Sequence, residues 1–432
     1  MEDRAQVSAD QAADLLGVRL QTIYAYVSRG LLTRTHRTNA GGHRASGFDR
    51  AEVLRLVAER TRVRTGSLEV LVETDVTLLD PKGTLSFRGH DAVTLSAQPF
   101  EEVAALIWGV PPGDKSRWVV DGAARELVRR ASALPAAATD VDRVRATVLA
   151  LAGADEHRAD LSLDHVTEVG RRAVAAGIVA VGEDAPWSGP VAGRVLRVLR
   201  ARSFEGVTPS ISGHPDPTLV ERAVNAALVL LIDHELAAST MAVRIAAGTG
   251  ADPWLVLLTG LAALGGPRHG RSSVLVEQLL DEIGARGVDP TLDRYASGAP
   301  SGNGSGEAGS GEAGSGGAGP PGFGHQVYVD ADPRAEALLD HVARLDPQGW
   351  PLLEELLVTV SERCGLSPNV DLALAALVRA GRLRSGSGET LFALSRMAGW
   401  LAHASEEYPQ GLRFRPRAIY TGEGPEARTG RS

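Results

Sequence analysis

The chain has 432 residues, 44% hydrophobic and 23% charged, with a formal net charge of −8. That length allows two or three domains with sizeable cores, and the composition excludes collagenous, disulfide-stapled and disordered classes. A single cysteine, Cys364, excludes an internal disulfide and any multi-cysteine metal site. With the polar opening Met1-Glu2-Asp3-Arg4, it predicts a cytoplasmic protein without a signal peptide. The first 65 residues hold eleven arginines against seven acidic residues, so a basic head precedes a body that carries the acidic excess.

In the head, Ser8 is a candidate cap for a helix over 9–16, and Gly17 supplies the turn. A second helix is predicted over about 19–29, stopped by Gly30. Leu15, Leu16, Val18, Ile23 and Val27 would form the shared apolar face, leaving Gln21, Thr22, Tyr24, Ala25 and Arg29 outside. Residues 33–47, including Arg44, read as a polar hairpin or wing, and Phe48-Asp49-Arg50 opens a third helix. The run Tyr24-Ala25-Tyr26 with Arg29-Gly30-Leu31-Leu32 is similar to the winged helix-turn-helix of the MerR and excisionase type. That resemblance implies DNA as a partner, with Gln21, Thr22, Tyr24, Arg29 and Arg44 reaching phosphates and base edges.

Beyond residue 65, Ala-, Leu- and Val-rich stretches at helical spacing, with aromatics at only 4%, predict a mostly α-helical body. The longest apolar stretch, 223–248, reads as one buried helix, since Asp233, His234, Glu235 and Arg244 rule out a membrane span. Asp252-Pro253 opens a further helix that stops at Gly265-Gly266-Pro267 and so delivers His269 just past its end. Residues 297–320 are of low complexity, with Gly306-Glu307-Ala308-Gly309-Ser310 repeated directly, and predict a disordered loop. Asp332-Pro333 is a helix start that places Arg334 in a first turn.

Three Gly/Pro-rich stretches carry groups suited to carbon-acid chemistry: Gly266-Pro267-Arg268-His269-Gly270, Gly322-Phe323-Gly324-His325 and Pro368-Asn369-Val370-Asp371. One group can take a proton while two others polarise carbonyl oxygens. No His/Glu or Cys/His set has metal-ligand spacing, and no P-loop or dinucleotide fingerprint occurs. Singly, each residue also has a bland role: Asp371 as a helix cap, His234 as a core histidine, Arg415 as a solvated surface charge.

In this order, together with Asp233-His234-Glu235, Asp332-Pro333-Arg334, Ser395-Arg396-Met397-Ala398-Gly399-Trp400 and Arg415-Pro416-Arg417, the stretches resemble the citrate synthase family over roughly residues 67–425. The resemblance implies large and small helical domains behind the winged head: 1–65 head, 66–274 large domain, 275–380 small domain, and 381–432 the rest of the large one. It also implies short opening strands near 67–75 and 83–89 and a first helix over 100–109. For chemistry it implies condensation of acetyl-CoA or propionyl-CoA with oxaloacetate, with no resident cofactor or metal. Asp371 would be the base, His269 the donor to the enolate oxygen, and His325 the group polarising the ketone. His234, Arg334 and Arg396 would hold oxaloacetate, with Arg415 crossing from the partner of a homodimer. Arginine forks suit its two carboxylates. Arg271, Gln326 and Val329 depart from the family's usual residues near the acyl-CoA cleft. A reading of another class is a DNA-binding regulator whose body senses these metabolites without turnover.

Overall fold

The computed structural model describes residues 6–16, 22–23, 26–27, 32–38, 44–49, 52–53, 72–80, 82–112, 118–183, 189–200, 215–266, 272–296, 319–325, 327–328, 330–411 and 414. The chain divides into two compact units, 1–73 and 74–432.

In the first unit, β1 (Gln6–Ser8) leads into α1 (Ala9–Leu16), and β2 (Arg34–Thr38) and β3 (Arg44–Asp49) form a hairpin. The sheet order is β1-β3-β2, antiparallel throughout, with Arg34 opposite Phe48 and Thr38 opposite Arg44. Ser8 starts α1 as its sequence predicts. Its hydroxyl accepts from the Gln11 amide at 3.2 Å, and the Gln11 side chain accepts in return from the Ser8 amide at 3.0 Å. This reciprocal cap satisfies two amides that the first turn leaves without partners. Val7, Ala12, Ile23, Leu32, Phe48 and Val53 form a small core.

The second unit opens with an antiparallel meander, β4 (Thr77–Asp80), β5 (Thr84–Phe87) and β6 (His90–Asp91). Its first strand therefore follows the 67–75 stretch, of which 67–71 lie outside the described residues. At 74–75 the chain is held differently: the Glu406 carboxylate accepts from the Thr74 hydroxyl and the Asp75 amide.

Helices follow: α2 (Ala92–Leu95), α3 (Phe100–Trp108), α4 (Gly122–Ala131), α5 (Asp140–Ala154), α6 (Leu163–Val181), α7 (Val191–Leu199), α8 (Pro217–Leu231) and α9 (Ala238–Gly248). Beyond them come α10 (Pro253–Leu264), α11 (Ser272–Arg286), α12 (Val288–Ala296), α13 (Pro333–Leu345), α14 (Trp350–Cys364), α15 (Val370–Ala380) and α16 (Ser387–Glu407). Of the 297–320 stretch, 297–318 lie outside the described residues. No helix among the described residues is long and apolar enough to cross a membrane.

The expected single helix over 223–248 is in fact two, α8 and α9, separated by a turn through 232–237. Polar bonding breaks it: the Asp233 carboxylate accepts from the Glu235 amide at 2.9 Å, and Glu235 takes a left-handed φ of 52°. An amide captured this way cannot continue the helical ladder.

α16 is the axis of the unit. It is buried along nearly its whole length and packs against α3, α6, α8, α9 and α10. Leu391, Leu394, Met397 and Leu401 are fully buried, each worth about 1.5–3 kcal/mol of burial. α15 packs against α11 and α13. Gly399 lets α16 approach the 232–233 turn, because a Cβ there would strike the Ile232 carbonyl and the Asp233 carboxylate.

Candidate active site

Two loops of the second unit are laced together. Gly322 (φ 87°) and Gly324 (φ 79°) give 322–325 a course that residues with side chains rarely adopt. Phe323 bridges Pro368 antiparallel, the Gly324 amide donates to Ser367 O at 2.8 Å, and the Asn369 amide donates to Gly322 O at 2.9 Å. The Asn369 side chain closes the seam, donating to Gly324 O at 3.0 Å while its oxygen accepts from the Asp371 amide at 3.0 Å. Asn369 is thus both the cap of α15 and the clasp between loops. His325 follows one loop, and Asp371, buried, sits in the first helical turn after the other.

The His325 ring has a defined role for each nitrogen. Nδ1 accepts from the amides of Val327 (3.0 Å) and Tyr328 (3.1 Å). In the neutral ring the proton therefore lies on Nε2, which becomes a donor. Arg334 Nη2 lies 3.3 Å from that nitrogen, so a carbonyl or carboxylate oxygen lodged beside both could accept from each. The His234 ring stands edge-on to His325, with centroids 5.3 Å apart, and its Nε2 is 3.2 Å from the Tyr328 hydroxyl. Tyr328 lies against His325 at 4.6 Å between ring centres.

Arg334 emerges at the start of α13, as Asp332-Pro333 predicts. Asp332 does more than cap that helix. One oxygen accepts from the Arg334 amide and Nε, both at 3.0 Å; the other accepts from Arg334 Nη2 at 2.9 Å and the Val370 amide at 3.1 Å. One buried carboxylate therefore ties the first turn of α13 to that of α15. Burial alone would raise its pKa, but the Arg334 guanidinium, its hydrogen bonds and the charges of His234 and His325 hold it below the usual range. Arg396, fully buried on α16, donates from Nε to Leu231 O at 2.7 Å and stacks 4.5 Å from the Phe392 ring centre. It thereby meets the end of α8, three residues before His234.

The structure thus brings His234, His325 and Arg334 into one cluster, joins the His325 and Asp371 loops, and sets Arg396 at the entrance to the His234 turn. His269 and Arg415 lie outside the described residues, as do Gln21, Tyr24 and Arg29. In the first unit Thr22 is helical and half-buried, and Arg44 opens β3. Sequence reasoning treated Asp332 only as a cap and passed over Tyr328, although its spacing three residues after His325 could have flagged it. Among the described residues no group of three or more His, Cys, Asp or Glu side chains is arranged to hold a metal. An open cavity of about 500 Å3 lies elsewhere, around the ends of α4 and α6, and shares no residue with the cluster. Its arginines are already engaged, Arg129 with Glu126, Arg143 with Ser132 O and Arg384 with Asp140.

Beside His234, the wholly buried Asp233 carboxylate would be pushed up by burial, but the His403 imidazole and its hydrogen bond, the Arg396 charge and the Thr77 bond hold it at about 2. A carboxyl depressed in the fold stabilises it above the unfolded pKa, and that contribution is lost as pH falls through the folded value. Acid should therefore remove about 2 kcal/mol between roughly pH 4 and pH 2. The thermal midpoint should fall more steeply over that window in the wild type than in Asp233→Asn.

Comparison with known proteins gives a consistent picture. Residues 68–417 match the family model described as citrate synthase, C-terminal domain. Citrate synthase 2 of Bacillus subtilis (strain 168) is 33% identical over 214 residues, which is 48% of this chain and 52% of that protein. The chain thus spans about half the length of that relative. Among solved structures, citrate synthase of Thermoplasma acidophilum, in ternary complex with carboxymethyl coenzyme A and oxaloacetate, superposes with a TM-score of 0.67 at 23% identity, covering 85% of this chain and 98% of its own. Citrate synthase of Thermotoga maritima gives 0.63 at 23% identity, covering 83% and 95%. At these identities the structural likeness speaks for the fold.

Proposed function

Because the chain belongs to the citrate synthase family, we propose that it condenses an acyl-CoA ester, acetyl-CoA or propionyl-CoA, with oxaloacetate to give citrate or 2-methylcitrate and free CoA. The observation that carries this reading is the seam joining the His325 loop to the Asp371 loop, with His325 Nδ1 occupied by backbone amides. The ternary complex of the Thermoplasma relative supports the choice of substrates.

Arg334 and Arg396 take the two carboxylates of oxaloacetate, and His234 completes its cradle. The Nε2–H of His325 donates to the ketone oxygen and makes that carbon electrophilic. Asp371 removes a proton from the carbon beside the thioester, while His269 donates to the enolate oxygen as charge develops there. The enolate carbon bonds to the ketone carbon, and the alkoxide takes a proton. Water then attacks the thioester, releasing the CoA thiol and the new carboxylate. No resident cofactor takes part, and the substrates suit the cytoplasmic location expected from the sequence. In the assembly proposed, a homodimer, Arg415 reaches oxaloacetate from the partner subunit. Acetyl and propionyl esters differ by one methylene, a discrimination of about 10–200-fold set by pocket volume.

The test is thiol release by the purified full-length protein with oxaloacetate and each ester in turn. Release with at least one ester is expected. A folded protein that frees no thiol with either overturns the reading.

The basic first unit, with its capped helix and β2-β3 hairpin, supports a separate proposal of DNA binding. The same preparation should retain duplex DNA at low salt and lose it steeply as salt rises. Retention that ignores salt, or none at all, would count against it.

A further inference from the structure

A set of buried charges lies behind the oxaloacetate cluster, and the condensation steps leave it unused. Arg244 on α9 donates from Nε to Glu407 at 2.5 Å and from Nη1 to Glu406 at 2.7 Å and to His403 Nδ1 at 2.6 Å. A guanidinium only donates, so His403 Nδ1 accepts and the ring's proton lies on Nε2. That nitrogen is 3.2 Å from Asp233 Oδ2, which also accepts from the Thr77 hydroxyl at 2.5 Å and the Glu235 amide at 2.9 Å. The side chains of Asp233, Arg244, His403 and Glu407 are all 0% exposed.

We infer that His403 and Asp233, braced by Arg244, form a positioning relay that sets His234 and Arg396 for the keto diacid. The inference rests on the condensation reading and deepens it. Asp233 immediately precedes His234, and its hold on the Glu235 amide keeps the left-handed turn that presents the His234 ring to Tyr328. His403 and Arg396 are seven residues apart on α16, two turns along one face, so a single helix carries both the relay's ring and a candidate carboxylate fork. Gly399, between them, admits the Asp233 turn to that face.

Stability alone does not account for the arrangement. Taking several charges out of water costs several kcal/mol per ion, and well-packed apolar residues in their place are often neutral or stabilising. What such a network supplies is a single orientation, because each hydrogen bond removes a rotamer choice from its neighbour. Loss of the His403 bond leaves the Asp233 carboxylate on the Thr77 hydroxyl and the Glu235 amide, free to turn about them, so that the Glu235 turn relaxes and His234 shifts. Ground-state affinity for the keto diacid then falls while the acyl-CoA contacts remain.

The experiment uses the full-length protein. His403→Leu removes both bonds; His403→Gln keeps a donor for Asp233 and an acceptor for Arg244. His403→Leu should raise KM for oxaloacetate about tenfold, equivalent to 1.4 kcal/mol, with KM for the acyl-CoA ester moving less than about twofold. His403→Gln should bring the oxaloacetate KM back to within about threefold of wild type. Calorimetric binding of oxaloacetate without an acyl-CoA ester should follow the same order. Should His403→Leu fail to fold, Asp233→Asn, which keeps the shape and drops the charge, takes its place with the same expected split. Unchanged oxaloacetate KM in a folded His403→Leu or Asp233→Asn protein overturns the relay. So does an equal rise in both KM values, or a loss that His403→Gln shares in full. A wild type that binds no oxaloacetate and frees no thiol ends the condensation reading first, and is scored before any variant.

Discussion

Replacing Asp371 with asparagine is expected to lower kcat by about 10²–10⁴-fold, the usual contribution of a positioned base. The variant keeps the shape of the side chain and removes its capacity to take a proton. The clasp should survive, because Asn369 bonds the backbone amide of residue 371 and the Gly324 carbonyl, neither of which changes. KM for oxaloacetate should therefore stay near its wild-type value, since its candidate contacts are Arg334, Arg396, His234 and His325. Single-turnover thiol release together with oxaloacetate titration reads both quantities. A kcat within about tenfold of wild type would remove Asp371 from the role of base.

Arg334→Met should have the second largest effect, and it should strike both binding and folding. The guanidinium and the Asp332 carboxylate are each fully buried and bonded to one another. Removing one partner of such a pair leaves an uncompensated charge, at a cost of about 3–5 kcal/mol. In the wild type, the depressed Asp332 carboxyl stabilises the fold above its unfolded pKa, and that contribution fades as pH falls through the folded value. Without Arg334, burial dominates and raises that carboxyl, so the variant should lose stability as pH rises instead. The slopes of thermal midpoint against pH should thus differ in sign across the carboxylate range. Adding Asp332→Asn should restore much of the stability, since the buried charge is gone, but should leave oxaloacetate binding weak. Recovery of binding in the double variant would show that Arg334 acts only as a counter-ion.

Much of the local architecture was legible from spacing and caps. Ser8, Asp252 and Asp332 each stand where a helix begins, and the latter two accept from amides two residues on; at α15 the cap is Asn369 and not Asp371, the residue that the sequence offered for it. The helical body followed from apolar periodicity and the near absence of strand-forming runs. Where the reading failed, a distant contact had intervened. The stretch 223–248 looked continuous because its apolar residues keep helical spacing, yet Asp233 is held by Thr77 and His403, 156 and 170 residues away, and captures the amide that the helix needed. His403 looked ordinary for the same reason, having no partner near it in sequence except on its own helix.

What the residues alone determined, then, is the inventory and the starts of the helices: His325 and Asp371, each in a glycine- or proline-bearing stretch, and an arginine in the first turn of a helix. These are decided by bonds that span two to four positions, so residue type and spacing contain them. Only the tertiary structure decided that the 322–325 and 367–371 loops are stitched edge to edge, that Asp332 serves two helices at once, and that His234 stands edge-on to His325 with Tyr328 against both. Such pairings join atoms tens to hundreds of residues apart. A buried donor accepts any correctly aimed oxygen, so the side chain's chemistry does not name its partner; the packing of α15 and α16 does.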